Sequence, residues 1–325
     1  MFQGVAEAGG PGHYLFTDAD IAHPPGTVAA LVRAAEGGGL DLVSQMARLH
    51  AASFWERTVL PAFVYFFAML YPFRRVNRPN ARTAAAAGGC MLVRREALER
   101  AGGLERIRGD LIDDVALGRL LKRSGSGGVW LGHAAGPTGV ESVRPYRFAD
   151  LWAMVVRSAY TQLRYSPALL GATAACLLVL FAVPPVAGIA GLIGLSPGSD
   201  APAVVAAACG LGAWLIMAVT EVPILRLYGL GPIRGVALPA VAFLYTAMTV
   251  DSARRHRGGT GGTWKGRTAA RVGPARGPRI QPETDRSSGS ARTATSRATA
   301  RTSSGRCLAG STTAGRYHRP VRLSS

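Results

Sequence analysis

Cysteine and acidic side chains are both scarce in this chain of 325 residues. It has 19 Asp and Glu residues against 37 Lys and Arg residues, and it has four cysteines. Cys90, Cys176, Cys209 and Cys307 share no metal-ligand spacing, so the sequence predicts four free thiols. The pattern excludes a disulfide framework of the kind that stabilises small secreted proteins.

Charge of either sign is missing from three long stretches, residues 166–199, 201–220 and 235–250. The first two reach the ~20 residues that a helix needs to cross the hydrocarbon core of a bilayer. The sequence therefore predicts an integral membrane protein with about three membrane helices. The predicted helices are 168–193, 202–225 and 232–252.

The basic residues around these helices bear on the topology. Under the positive-inside rule, the arginines before the first helix and those before the third place both segments in the cytoplasm. Three full crossings would then leave Arg254, Arg255 and Arg257 outside, against the rule. We expect that one segment does not cross, and we choose the short third one, which carries Pro239, as an interfacial or re-entrant hairpin.

The net charge of +18 is concentrated in the C-terminal part of the chain. Residues 251–325 carry 16 of the basic and 3 of the acidic residues, a net charge of +13, which leaves +5 for residues 1–250. The segment 254–325 is rich in Arg, Ser, Thr and Gly without hydrophobic periodicity, so we expect a disordered tail. Because the tail lacks interleaved aromatics, we expect no specific nucleic acid partner.

Residues 1–150 have the alternating pattern of an α/β domain. Short apolar runs that end at turn residues predict strands, and amphipathic runs that stop at Gly predict helices. The predicted strands are 14–18, 40–44, 88–93 and 129–131. The predicted helices are 27–36, 94–101 and 113–122.

Two acidic pairs carry the candidate chemistry of this domain. Asp18 and Asp20 follow the first strand, and the alternation of strand side chains would place both on the same side. Two hard oxygen ligands at that spacing suit a divalent cation that carries a substrate phosphate. Asp113 and Asp114 open a helix about 95 residues later, where a carboxylate suits a general base.

Two further helices leave alternatives open. Residues 54–73 are rich in aromatic side chains and suit either a core helix or one that lies at the membrane surface. Residues 150–165 place Trp152 on an apolar stripe and Arg157 and Arg164 on a second one. We expect this helix to lie along the interface, with arginines that either bind anions or only anchor it.

Five segments together resemble the family 2 glycosyltransferases of GT-A fold, and within them the hopene-associated branch of hopanoid biosynthesis. These segments are 15–23, 53–57, 86–95, 111–114 and 159–166. The resemblance implies a partial GT-A, Rossmann-like domain followed by membrane helices. The predicted domains are the GT-A domain (1–150), an interfacial amphipathic helix (151–166), the transmembrane helices (167–253) and the tail (254–325).

The resemblance also implies roles for the acidic pairs. Asp18 and Asp20 match the motif that binds Mg²⁺ or Mn²⁺ and a nucleotide sugar, here expected to be a UDP-sugar. Asp114 matches the catalytic base, and Asp113 supports it. A base on the face opposite the departing nucleotide implies one in-line displacement that inverts the anomeric centre.

A third motif resembles the Gln/Arg/Trp motif with which processive members bind the nucleotide diphosphate. Its residues are Gln162, Arg164 and Tyr165. The Gln stands two residues before the Arg instead of three, and Tyr replaces Trp, which favours transfer of a single sugar. The residues expected on the acceptor side are Gly88, Gly89 and Trp55.

The leading prediction is a multi-pass glycosyltransferase of the bacterial inner membrane that acts on a hopanoid or polyprenoid lipid. The first apolar span follows the acidic pairs, so we expect these in the cytoplasm. GT-A members have a strand–helix–strand unit before the Asp-x-Asp motif, and we expect this donor site to lack its nucleobase-binding half. The alternatives are a polysaccharide or glycolipid synthase of the same superfamily and a non-catalytic binding or assembly subunit.

Overall fold

A computed structural model describes most of residues 1–259. The described ranges are 1–125, 127–133, 136–195 and 201–259, with the backbone of 263–264 and 267–268. Cys307 and most of the predicted tail lie outside these ranges. The three described cysteines, Cys90, Cys176 and Cys209, are free thiols as expected.

The described part of the chain contains short strands and long helices. The strands are β1 (His13–Thr17), β2 (Ile21–Ala22), β3 (Leu40–Met46), β4 (Cys90–Arg94), β5 (Gly128–His133), β6 (Glu141–Ser142), β7 (Thr263–Trp264) and β8 (Arg267–Thr268). The helices are α1 (Phe2–Glu7), α2 (Thr27–Gly37), α3 (Phe54–Leu70), α4 (Phe73–Val76), α5 (Arg95–Arg100), α6 (Asp113–Ser124), α7 (Phe148–Gln162), α8 (Pro167–Phe181), α9 (Val183–Ile193), α10 (Ala201–Leu227) and α11 (Leu238–Arg257). Three 3₁₀ turns lie at Leu104–Ile107, Gly136–Thr138 and Pro232–Ala237.

The α/β prediction for the first part of the chain is confirmed. Four strands form a mixed sheet in the order β1-β4-β3-β5, in which β1–β4 and β4–β3 pair antiparallel and β3–β5 pairs parallel. A second, two-stranded sheet joins β2 to β6, with Ile21 opposite Ser142. This second sheet brings the segment before α7 next to the turn that follows β1.

Both faces of the main sheet are covered. Successive side chains of β3 point to opposite faces, and all of them from Asp41 to Met46 are buried. On β3, Leu42 packs into a core with α5 and α6, and Val43 packs with Leu31 of α2 on the other face. A third cluster joins α3, α7 and α11 through residues such as Leu60, Leu151 and Met248. Phe63 and Tyr65 of α3 pack against both the first and the third cluster, so the core of the sheet is continuous with the helices that follow.

Helix α3 begins with a capping box that also fixes a distant loop. The Ser53 hydroxyl accepts a hydrogen bond from the Glu56 N–H (3.3 Å), and the Glu56 carboxylate accepts one from the Ser53 N–H (2.7 Å). The same buried carboxylate accepts the N–H of Tyr146 (2.7 Å). These bonds satisfy the free N–H groups at the helix start and hold the loop of Tyr146 against it.

Four helical segments are long and apolar enough to cross a membrane. They are Phe54–Val76, Pro167–Ile193, Ala201–Leu227 and Pro232–Arg257. The last three agree in position with the predicted helices, and the first of these three is divided into α8 and α9. The first lies between β3 and β4, which pair in one sheet, so both of its ends lie on the side of that sheet. This connection favours a buried or interfacial helix for Phe54–Val76.

The predicted boundary at residue 253 falls inside a helix, since α11 continues to Arg257. Asp251 and Arg255 form an ion pair four residues apart, which supports the last turns. The buried hydroxyl of Ser252 accepts the N–H of Tyr160 (3.1 Å) and donates to the carbonyl of Val156. These contacts hold the end of α11 against α7.

Helix α7 is more buried than its two stripes of apolar and basic residues suggest. Leu151 and Val155 are buried, and so is Tyr160, which the helical period places on the second stripe with Arg157 and Arg164. Tyr160 packs near Tyr165 and His256, and its hydroxyl donates to the Tyr165 carbonyl (2.7 Å). Packing against α11, which lies about a hundred residues away in sequence, covers this part of the stripe.

Candidate active site

The turn between β1 and β2 carries the first acidic pair. Because β1 ends at Thr17, Asp18 and Asp20 lie in a turn and not on the strand, so strand alternation does not place them. The Thr17 hydroxyl donates to the Gly89 carbonyl (3.0 Å), which ties the turn to the start of β4. The Asp20 carboxylate accepts a hydrogen bond from the Ser142 hydroxyl (3.1 Å). Asp18 and Asp20 thus lie in one fixed loop.

The second acidic pair occupies the first two positions of α6, where the helix dipole favours negative charge. One carboxylate oxygen of Asp114 accepts the N–H of Gly88 (2.9 Å), and the other accepts that of Val115 (2.7 Å). Asp113 is exposed and accepts the N–H of Asp114 (3.0 Å). Asp114 is therefore held in place, while Asp113 faces solvent.

The loop that donates to Asp114 is itself anchored to the central strand. The Ser44 hydroxyl of β3 accepts the N–H of Ala87 (2.9 Å) and donates to its carbonyl (3.2 Å). Helix α6 packs closely on the same loop, since a Cβ at Gly118 would lie 2.8 Å from the carbonyl carbon of Ala85. The two contacts fix the distance between the loop and the start of α6.

These elements enclose a cleft with a volume of about 150 Å³. Asp18, Asp20 and Asp114 all line it, together with Ser142 and Tyr146. The structure thus brings the carboxylates of Asp18, Asp20 and Asp114 together, although they come from two distant parts of the sequence. Gly88 and Gly89 line it as well.

Much of the remaining lining of the cleft is apolar. Phe63 and Phe67 of α3 contribute aromatic rings to it, and Met46 and Leu49 add aliphatic surface. One cleft therefore presents a cluster of carboxylates and an aromatic surface side by side. The sequence pattern gave no signal for Phe63 and Phe67 beyond the aromatic density of their helix.

The surroundings of Asp114 and Asp18 raise the pKa of both carboxyl groups. The pKa of Asp114 is raised to about 6, first by burial and then by the neighbouring charges of Asp113 and Asp18, against two backbone hydrogen bonds that lower it. The pKa of Asp18 is raised by burial and then by Asp20 and Asp113. A cluster of like charges of this kind favours the binding of a cation.

Arg157 is a site residue that motif reasoning did not select. Burial lowers the pKa of its guanidinium, and the charges of Asp18, Asp114 and Asp113 raise it. The basic side chain is half-buried on α7 and interacts electrostatically with both acidic pairs. Its only sequence signal is its place on the second stripe of that helix.

The residues of the third motif lie in different surroundings. Gln162 accepts a hydrogen bond from the Tyr71 hydroxyl (2.8 Å). Arg164 is exposed with a φ of 52°, and the ring of Tyr165 stacks on His256 with 4.4 Å between centroids. The cleft lining includes none of the three.

Trp55, expected on the acceptor side, also lies apart from the cleft lining. Its ring packs against Phe148 with 4.5 Å between centroids and against Phe54 at 5.3 Å. It is 43% exposed at the start of α3. Its neighbours are thus surface aromatics and not the carboxylates.

Metal binding by protein side chains alone has little support in the described residues, which contain no cluster of three or more His, Cys, Asp or Glu arranged around one point. Asp18 and Asp20 can supply two hard oxygen ligands. Mg²⁺ is commonly held by one or two carboxylates with substrate phosphates and water as the other ligands. The residues present fit that mode of binding.

Comparison with protein families is decisive for the reaction class. The model of Glycosyl transferase family 21 matches residues 6–250. The chain belongs to glycosyl transferase family 21. The resemblance to glycosyltransferases is thereby confirmed, with family 21 and not family 2 as the matching family. No curated protein and no solved structure gives a significant match.

The family assignment covers the cleft and the membrane helices together. The matched residues of family 21 include both acidic pairs, α7 and the membrane helices down to residue 250. Glycosyl transfer is therefore the activity of the matched region, which contains this cleft.

Proposed function

We propose that this family 21 protein is a membrane-bound, inverting glycosyltransferase that moves one sugar from a UDP-sugar to a hydroxyl group of a lipid. One observation carries the proposal: the same cleft holds the carboxylates of Asp18, Asp20 and Asp114 and the aromatic rings of Phe63 and Phe67. The charged part suits a sugar nucleotide, and the aromatic part suits a lipid.

The donor side is formed by the turn of Asp18 and Asp20. These carboxylates would hold Mg²⁺ or Mn²⁺, and the Ser142 hydroxyl orients Asp20 for this task. When bound, the cation supplies positive charge that neutralises the departing diphosphate. Arg157 adds positive charge near Asp18 and favours the same leaving group.

Asp114 serves as the general base. With a pKa raised to about 6, its carboxylate is ionised at neutral pH yet basic enough to accept a proton. The acceptor oxygen forms the new bond to the sugar carbon as the bond to the diphosphate breaks, and the proton passes to Asp114. Attack on the face opposite the diphosphate inverts the anomeric centre.

The acceptor side is formed by α3 and the loop before β4. Gly88 and Gly89 leave room beside Asp114 because they have no side chain, and Phe63 and Phe67 provide the apolar surface. A hydroxyl at the end of a hydrocarbon body fits this combination. A hopanoid or polyprenoid lipid has such a body and is the acceptor that we propose.

The surroundings of the cleft support a membrane location. The domain is proposed to be a GT-A-like domain that continues into the helices of a bacterial inner membrane, with the cleft on the cytoplasmic side. Both acidic pairs precede the segment Pro167–Ile193, and α10 packs against α3 through the Thr220 and Tyr65 hydroxyls (2.9 Å).

Transfer of sugar to membrane lipid tests the proposal. Membranes from a strain that expresses the full chain are incubated with Mg²⁺ or Mn²⁺ and each of several radiolabelled UDP-sugars. We expect label in the organic-solvent extract with one donor, and none after the cation is chelated. Label that appears only in water-soluble polymer would favour the polysaccharide synthase instead.

A further inference from the structure

A groove on the membrane helices lies outside the catalytic cleft, between α7, α8 and α11. It has a volume of about 560 Å³ and is lined by Trp152 of α7, Leu178 of α8, and Phe243 and Val250 of α11. Phe243 is 66% exposed and Leu178 is 41% exposed. Since α8 and α11 lie in segments apolar enough to cross a membrane, this surface is open to lipid.

One end of the groove is polar and positively charged. The Asp251 carboxylate accepts hydrogen bonds from the Trp152 indole N–H (2.8 Å) and the Arg255 guanidinium (2.9 Å). Arg254 also lines this end and is exposed. Two guanidinium groups against one carboxylate leave this end with a net positive charge.

The length of the groove matches one leaflet of a bilayer. Phe243 and Arg254 are eleven positions apart on α11, which is about 16 Å along a helix at 1.5 Å per residue. Half of a hydrocarbon core of about 30 Å is about 15 Å. With Arg254 at the level of the headgroups, Phe243 therefore lies near the middle of the membrane.

We propose that this groove binds one anionic phospholipid of the membrane, with its headgroup at Arg254 and Arg255 and an acyl chain against Leu178 and Phe243. Guanidinium groups hydrogen-bond phosphate oxygens in a fixed fork, which gives the site its polar contact. The net positive charge selects an anionic over a zwitterionic lipid, because both have a phosphate but only the anionic one has net negative charge.

The site lies on the same helix as Arg157, whose charge interacts with the carboxylates of the cleft. Trp152 and Arg157 are five residues apart on α7, about 7.5 Å along its axis. A lipid held between α7, α8 and α11 packs against the helix that positions Arg157. The lipid site is nevertheless defined by binding alone, and its test does not need the activity.

Quenching of tryptophan fluorescence tests the proposal on the full chain in vesicles. The vesicles contain phosphatidylcholine with a small fraction of either brominated phosphatidylglycerol or brominated phosphatidylcholine. The signal of Trp152 is the difference between the wild type and Trp152→Phe. We expect stronger quenching of this signal by the brominated phosphatidylglycerol at equal fraction, and recovery when unbrominated phosphatidylglycerol is added.

A matched pair of arginine variants locates the headgroup. Arg254→Gln should weaken the apparent affinity for brominated phosphatidylglycerol about tenfold, the value of one charged hydrogen bond to a phosphate. Arg257→Gln removes the same charge from the same helix at an exposed position that does not line the groove, and should leave the affinity unchanged.

Three outcomes would overturn the proposal. Equal quenching by the two brominated lipids in the wild type would mean that the groove has no preference for anionic lipid, and this comparison needs no arginine variant. Equal weakening in Arg254→Gln and Arg257→Gln would mean general attraction to a basic surface. A Trp152 signal that neither lipid quenches would mean that another part of the chain fills the groove.

Discussion

The Asp114 carboxylate accepts a hydrogen bond from the backbone N–H of Gly88, at 2.9 Å. A Cβ built at Gly88 would lie 3.3 Å from the same carboxylate oxygen. The proposed base and the glycine of the loop before β4 are thus in direct contact. The position of the base depends on the absence of a side chain at residue 88.

Gly88→Ala is therefore expected to lower turnover without unfolding the protein. The added methyl group displaces the Asp114 carboxylate by a few tenths of an ångström, and we expect a loss in kcat of about tenfold because general-base catalysis depends on position. Gly37→Ala is the control, since nothing lies within 4 Å of a Cβ there. Equal kcat in both variants would mean that Gly88 does not determine the position of the base.

The rate of transfer should depend on pH through Asp114. The base must be ionised to accept a proton, so kcat should fall about tenfold per unit of pH below the pKa of Asp114, which is about 6 without a cation, and level off above it. A bound cation favours the ionised form and moves the midpoint below about 6. A pH–rate profile at saturating donor, acceptor and cation checks this. A rate that rises as the pH falls below 6 would contradict it.

Arg157 and Arg164 make different predictions for donor binding. Arg157 interacts with the carboxylates of the cleft, whereas Arg164 is exposed beside α7. Arg157→Gln should raise the KM for the UDP-sugar about tenfold, the value of one charged hydrogen bond. Arg164→Gln is the matched control and should leave KM within about twofold. A larger effect of Arg164→Gln would mean that the motif of Gln162, Arg164 and Tyr165 binds the donor, as the sequence suggests.

Much of the α/β part could be predicted because its signals are local. The strands that became β1, β3, β4 and β5 are short apolar runs that stop at turn residues, and α6 begins at the acidic pair and ends at the Gly/Ser cluster. Asp18 and Asp114 could be selected because the end of a strand and the start of a helix are visible in sequence.

The remaining site could not be predicted because its contacts are not local. Trp55 packs on Phe148, and Tyr165 stacks on His256, each more than ninety positions away. The helical period places Arg157 on the second stripe of α7, but it does not predict which carboxylates Arg157 interacts with. Such partners are decided by the packing of α7 against α11 and α3.

The membrane topology is the fourth prediction. The Tyr228 hydroxyl accepts the N–H of Leu49, a residue of the cleft, and His256 stacks on Tyr165, which precedes α8. Both ends of the segment between Tyr228 and His256 therefore lie on the side of the cleft. We expect Pro167–Ile193 and Ala201–Leu227 to cross the membrane and Pro232–Arg257 to return as a re-entrant hairpin.

Cysteine labelling from each side of the membrane checks this topology. In a background without native cysteines, Gly229→Cys and Gly258→Cys should react from the cytoplasmic side, and Leu195→Cys from the opposite side. Both glycine positions are exposed, and so is Leu195. Labelling of Gly258→Cys only from the periplasmic side would mean three crossings.

The measurement that tests the account most directly is lipid glycosylation by Asp114→Asn beside Asp110→Asn. Asp110 is exposed, lies four residues earlier and does not line the cleft, so its variant should keep wild-type turnover. Asp114→Asn should lose at least about a hundredfold in kcat, the contribution of a general base, while binding of the UDP-sugar persists. Turnover by Asp114→Asn at the wild-type rate would remove Asp114 from the mechanism and contradict the central claim.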